Sequence, residues 1–234
     1  MPTLAGELEA IRAGFDEFDL YVVLLSSIVI VAIYFLMERS LSDIKSKSWI
    51  VMLTSATVLS VFGCRVYYET ELGSLWNLDQ VYGEEIVHRY VALFFLASNV
   101  MDLILGIMYY PKYLDPLTTI FHHIFYFFFS LILIAHHYSR GVLLCFVMEV
   151  PTCFLAIGSI WKDLRSDALF GITFLRTRLI YNIYLAYNLY LITPDGVVWR
   201  VCCGVLCLHL FWFYKWIKGY GKKLISGKSS QKVA

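Results

Sequence analysis

Seven stretches of the chain, at 20–37, 49–68, 86–110, 117–135, 141–161, 172–192 and 197–217, are nearly unbroken in apolar residues. About 20 such residues make a helix long enough to cross the hydrocarbon of a bilayer at 1.5 Å per residue. Inside hydrocarbon the backbone has no water to bond, so only helices or closed barrels span it. The predicted fold is an all-α, polytopic membrane helical bundle of about seven crossings (six to seven). Composition agrees. Hydrophobic residues make up 59% of the chain and charged residues 16%, with a mean hydropathy of +0.68, where a soluble domain carries roughly 25% charge. No nucleic-acid partner is expected of such a chain, whose net charge is +1.

The connections set an expected orientation. Arg39, Lys45 and Lys47 follow the first run, and Lys162, Arg165, Arg176 and Arg178 surround the fifth connection. Lysines 215, 218, 222, 223, 228 and 232 crowd the C-terminal end. Counting only Lys and Arg places these segments in the cytoplasm. The long connection 69–85 is acidic (Glu69, Glu71, Asp79, Glu84, Glu85) and falls on the other side with the acidic N-terminus. Lys112 in the third connection agrees and Arg140 in the fourth counts against. The expected topology is N-terminus extracytoplasmic, C-terminus cytoplasmic. Residues 1–19 have the wrong charge for a signal-peptide n-region, so 20–37 is read as a retained helix. Trp76 and Tyr82 suit a headgroup-level segment, and the stretch after Tyr220 is read as a basic, disordered tail. The parts are then an acidic N-terminus (1–19), a first crossing with its loop (20–44), a domain at 45–220 and the tail at 221–234. Six cysteines lie inside apolar segments without a CxxC pair. They are read as packing residues, with no metal site expected.

Ionisable residues inside these runs carry the functional signal, because they are costly in lipid and must face one another or a cavity. Reckoned along each helix from its cytoplasmic end, Asp102 lies roughly 12 Å deep and His122 and His123 roughly 8–9 Å. Arg178 and Asn182 lie about 9–15 Å deep, His209 roughly 12 Å and Glu149 about 18 Å. They are expected to share one slab and one pocket open to the cytosol. Successive helix positions diverge by about 100°, so one of the two histidines faces the pocket while the other anchors a neighbouring helix. Asp102 or Glu149 is positioned to orient an imidazole. Each residue also has a purely structural reading: Arg176 and Arg178 as snorkelling anchors, His88, His136 and His137 as interfacial groups, and the histidine pair as a helix-packing contact. Pro151 is expected to kink the fifth run and free a carbonyl one turn earlier.

The stretch from Tyr110 through Pro111, Asp115 and Pro116 to His122-His123 resembles the signature of the TLC domain, shared by ceramide synthases and several lipid-regulating membrane proteins. Asp102 matches that family's span aspartate, and His209-Leu-Phe-Trp212 resembles its final-span Asn-x-x-Trp, with His for Asn. The resemblance covers roughly residues 45–220. The second His-Asp of ceramide synthases is missing, since the corresponding span, 140–161, has Glu149 as its only acidic residue. The chain is thereby closer to the small TLC proteins of lipid homeostasis than to true ceramide synthases.

What the resemblance implies is a multi-pass endoplasmic reticulum protein that binds membrane lipid or an acyl chain in a polar intramembrane cavity. Catalytic candidates are His122, His123, Asp102 and Glu149. Substrate-binding candidates are Arg178, Asn182, His209 and Trp212. Transfer from fatty acyl-CoA as co-substrate, with no other cofactor, is one outcome, its imidazole acting as general base or nucleophile. A basic rim of Lys112, Lys162, Arg165, Arg176 and Arg178 is then available for the CoA phosphates. The alternatives are a ceramide synthase-like N-acyltransferase, a non-catalytic lipid-binding protein, and a transporter or channel.

Overall fold

In the computed structural model, described for residues 4–72, 76–81 and 83–225, every regular element is helical. Gly73, Tyr82 and residues 226–234, with Lys228 and Lys232, lie outside the described residues. The protein is a polytopic helical membrane protein. Five helical stretches have the length and apolarity of a crossing: Glu17–Glu38, Ile44–Glu71, Ile86–Tyr109, Ser139–Ile160 and Val198–Lys222, with a shorter apolar helix at Thr119–Ala135. The expected runs at 117–135 and 172–192 are helical too, but each contains a wide π turn. Apolarity alone does not reveal where a helix changes its winding. The chain divides into two units, 1–165 and 166–234.

In the first unit a short helix α1 (Leu4–Gly14) precedes α2 (Glu17–Glu38). Asp16 starts α2 with a capping box, its carboxylate accepting from the Asp19 N–H while the Asp19 carboxylate accepts from the Asp16 N–H. A single turn α3 (Ile44–Lys47), capped by Asp43, leads into α4 (Ile50–Leu72). The turn α5 (Leu78–Val81) comes before α6 (Ile86–Tyr109). A π turn at Pro116–Phe121 runs into α7 (His122–Ala135). Next come α8 (Ser139–Cys145), a tight 3-10 stretch at Phe146–Glu149, and α9 (Val150–Ile160). Pro151 sits in the first turn of α9, where its missing N–H costs least. The helix thus tightens just before the proline expected to disturb it.

α6 is the hub of this unit. It packs on α2, α4, α7 and α8, and buried residues occupy most of its first five turns. A core of Ile30, Tyr34, Ile50, Val51, Ala97, Leu105, Tyr110 and Ile160 joins α2, α4, α6 and α9 at the end where α6 stops. Gly63 lets α4 touch the Phe146–Val147 backbone: a Cβ there would lie 2.8 Å from Phe146 C and Val147 N.

The second unit contains α10 (Asp167–Phe174), capped by Ser166, a π turn at Leu175–Ile180, α11 (Tyr181–Ile192) and α12 (Val198–Ile225). An aromatic ladder lines α12, with Phe213, Trp216 and Tyr220 stacked at 5.5 and 5.1 Å. The helix continues five residues past Tyr220, where a disordered tail was expected, because these stacks lie along it and residues 221–225 continue its winding.

Candidate functional site

Asp102, buried on α6, and His123, buried on α7, meet across the first unit with Nε2 3.0 Å from Oδ2. The second carboxylate oxygen accepts a hydrogen bond from Tyr110 Oη at 3.1 Å. The other ring nitrogen, Nδ1, lies 2.7 Å from the Thr119 carbonyl in the π turn. That carbonyl can only accept, so Nδ1 carries a proton and donates.

Donor counting then fixes the state of the pair. A neutral imidazole has one N–H, and here both ring nitrogens face oxygen acceptors. The arrangement is satisfied only with one further proton shared between Nε2 and Oδ2. Written as imidazolium–carboxylate or as imidazole–carboxylic acid, the pair is net neutral. Neutrality suits a site inside a bilayer, where an unpaired buried charge is strongly unfavourable. His123 is therefore a held residue, its ring fixed between Asp102 and the Thr119 carbonyl.

His122 is half-buried, its ring 4.5 Å from that of Tyr126 and 5.5 Å from that of His123. Glu149, at the end of the 3-10 stretch, is half-buried. Cys153 Sγ lies 3.4 Å from Ser60 Oγ, so a polar seam joins α9 to α4. Lys112, Lys162 and Arg165 are exposed on this unit.

The remaining candidates belong to the second unit. His209, buried on α12, has Nδ1 3.0 Å from the Arg178 carbonyl of the π turn. The carbonyl again accepts, so Nδ1 is the protonated nitrogen of that contact. Phe174 and Trp212 flank the His209 ring at 5.8 and 5.9 Å, and the Arg178 guanidinium rests 5.4 Å from the Phe174 ring centre. Arg176 is exposed. Asn182 is fully buried, and among the described residues neither its side-chain nitrogen nor its oxygen has a hydrogen-bond partner. Arg178, His209 and Trp212 thus form one group, and Asp102, His123 and Tyr110 form another.

Sequence reasoning missed a second polar cluster at the opposite end of α6. Arg89, counted only as a charge crowding the start of a span, grips Asp19 of α2 with two nitrogens at 2.8 and 2.5 Å. It also reaches Glu84 at 3.0 Å and the carbonyls of Gly14 and Ile134 at 2.5 and 3.2 Å. His137, with a left-handed φ of 61°, brings Nδ1 to 2.7 Å from Glu84 Oε2, and the Ser139 hydroxyl donates to the same carboxylate. An arginine and an aspartate at the starts of two apolar runs were the available signal. Tyr110 was also missed as a partner of Asp102, although it heads the loop between Asp102 and the histidines. Among the described residues, no three His, Cys, Asp or Glu side chains converge as metal ligands.

No curated protein and no solved structure matches this chain. The family model of the TLC domain does match, over residues 45–218. That span takes in the aspartate, the loop, both histidines and the second-unit group. The chain belongs to the TLC-domain family.

Proposed function

We propose that this protein holds a polar lipid or a fatty acyl group beside the Asp102–His123 pair and acts in membrane lipid homeostasis, with the endoplasmic reticulum as its residence. The single observation that carries the reading is that buried His123 is anchored at both ring nitrogens, by Asp102 and by the Thr119 carbonyl. A bilayer protein keeps such a pair buried where it fixes neighbouring groups for a guest. His122, next in sequence and half-buried, is the imidazole that meets the guest, while His123, Asp102 and Tyr110 are positioning residues. Family membership supports the lipid class.

Acyl transfer from fatty acyl-CoA is the second reading, and the adjacency of the two imidazoles favours it. His122 acts there as general base or acyl acceptor at the thioester carbonyl, and exposed Lys112, Lys162 and Arg165 are available to the CoA phosphates.

Native mass spectrometry of the purified protein in a mild detergent tests the first reading. The expected result is a retained lipid in wild type that is lost in Asp102→Ala. Stable wild-type protein free of lipid would falsify it. Incubation with labelled acyl-CoA and a panel of amine and lysolipid acceptors tests the second. Transfer that His122→Ala leaves unchanged removes the catalytic role.

A further inference from the structure

About 21 Å along α6 from Asp102, counted over fourteen residues, lies a cluster whose donors are not matched by acceptors. Arg140 in the first turn of α8 is 5% exposed, and among the described residues its guanidinium makes one hydrogen bond, from Nη2 to Thr70 Oγ1 at 3.2 Å. Its Nε is buried without a partner. His88 in the first turn of α6 is 3% exposed, and its Nδ1 is likewise buried without a partner. The N-terminal turn of α6 has no side-chain cap from Glu85, so its first N–H groups add a positive potential.

One acidic group faces both side chains. Glu85 Oε1 lies 3.8 Å from Arg140 Nη1 and its Oε2 lies 3.9 Å from His88 Nε2, both beyond hydrogen-bond length, and its side chain is 64% exposed. Two other acidic groups among the described residues are committed elsewhere. Glu69 is paired with Arg65 at 2.7 Å, and Glu84 is held by Arg89, His137 and Ser139. Among the described residues the buried Arg140 guanidinium, with five N–H donors, finds one hydrogen-bond acceptor and one loosely placed carboxylate, which leaves donors for an added ligand.

We infer that Arg140, His88 and the first turn of α6 form a binding site for a phosphate oxyanion, with the Glu85 carboxylate as a loosely seated internal stand-in that swings out when the anion enters. The three contributing helix ends (α4 through Thr70, α6 and α8) pack against one another and lie at the ends of spans, the level of lipid phosphates. The phosphate can come from a lipid headgroup or from solution. This site is independent of the lipid reading at Asp102.

The test uses full-length protein in a neutral maltoside detergent, with chloride of equal ionic strength as the control. The probes are inorganic phosphate and dihexanoyl-phosphatidylglycerol, with dihexanoylglycerol as the neutral partner of the latter. Saturable binding and a raised Tm are expected with at least one phosphate-bearing probe and not with dihexanoylglycerol. Response to the lipid assigns a headgroup, and response to inorganic phosphate alone assigns the free ion. Glu85→Gln removes the competing carboxylate, equivalent to a partly exposed ion pair, and is expected to tighten binding by about fivefold. Arg140→Gln is expected to weaken it by about tenfold or more. Because Arg140→Gln removes a buried charge, Glu85→Gln is the deciding variant if Arg140→Gln does not fold. No response to either phosphate probe beyond chloride, or a Glu85→Gln protein that binds no tighter than wild type, overturns the inference.

Discussion

Tyr110 donates its hydroxyl to Asp102 across 3.1 Å although the two residues are eight apart on one strand of chain. The bond is possible because α6 ends at Tyr109, where Tyr110 leaves helical geometry at φ −143° and ψ 49° and its ring folds back into the core beside Tyr34. Tyr110→Phe keeps the ring and removes the donor. A hydrogen bond is worth about 0.5–1.5 kcal/mol to a neutral acceptor and about 1.5–3 to a charged one, so unfolding in mixed micelles is expected to show a loss of about 1–3 kcal/mol. An unchanged unfolding midpoint would place the hydroxyl's contribution elsewhere.

The Asp102–His123 pair should behave as a coupled unit. Asp102→Leu or His123→Leu alone strands the other buried member of the pair, and breaking a buried pair costs about 3–5 kcal/mol. The double variant leaves neither member facing an absent one, so its loss is expected to fall short of the sum by about 1–3 kcal/mol. A double-mutant cycle by denaturant titration measures this coupling, and strict additivity would contradict the shared proton.

Arg89 should tie the N-terminal helix to the rest of the first unit. Its nitrogens reach Asp19, Gly14, Glu84 and Ile134, so Arg89→Met leaves the buried Asp19 carboxylate without its ion pair and half-buried Glu84 with His137 and Ser139. The expected cost is about 3–5 kcal/mol, and amide exchange over residues 6–14 should speed up well before exchange in α6. Equal exchange in both variants would mean that α1 is held by packing alone.

Two glycines make a matched pair. An alanine Cβ at Gly63 would lie 2.8 Å from backbone atoms of Phe146 and Val147, whereas one at Gly204 has nothing within 4 Å. Gly63→Ala is expected to destabilise by about 1–3 kcal/mol through forced separation of helices. Gly204→Ala is expected to be neutral or stabilising by up to about 1 kcal/mol, the helix-propensity difference. Thermal unfolding of both proteins decides it; the reverse order would refute the close approach.

The helices were legible in the sequence because hydrocarbon demands long apolar runs and leaves few other ways to write them. The Asp102–His123 contact was legible in part for the same reason: depths reckoned separately on two helices agreed, and lipid offers no other partner. The π turns at Pro116–Phe121 and Leu175–Ile180 were not, since winding depends on packing and leaves no compositional mark. Nor was the Arg89 cluster, whose members lie 70 residues apart and meet only because α2 packs on α6 and α1 on α7. Arg140 was weighed as an orientation signal, against the expected topology. The structure gives it a buried place beside Thr70 and Glu85, a role that a count of loop charges cannot register.

The reach of Arg89 also constrains biogenesis. Its guanidinium takes partners from residues 14, 19, 84 and 134, so the clamp can close only after residue 134 has left the ribosome. Helix α1 is then locked long after its own synthesis, and nascent chains stopped short of residue 134 should keep it open to proteases and chaperones.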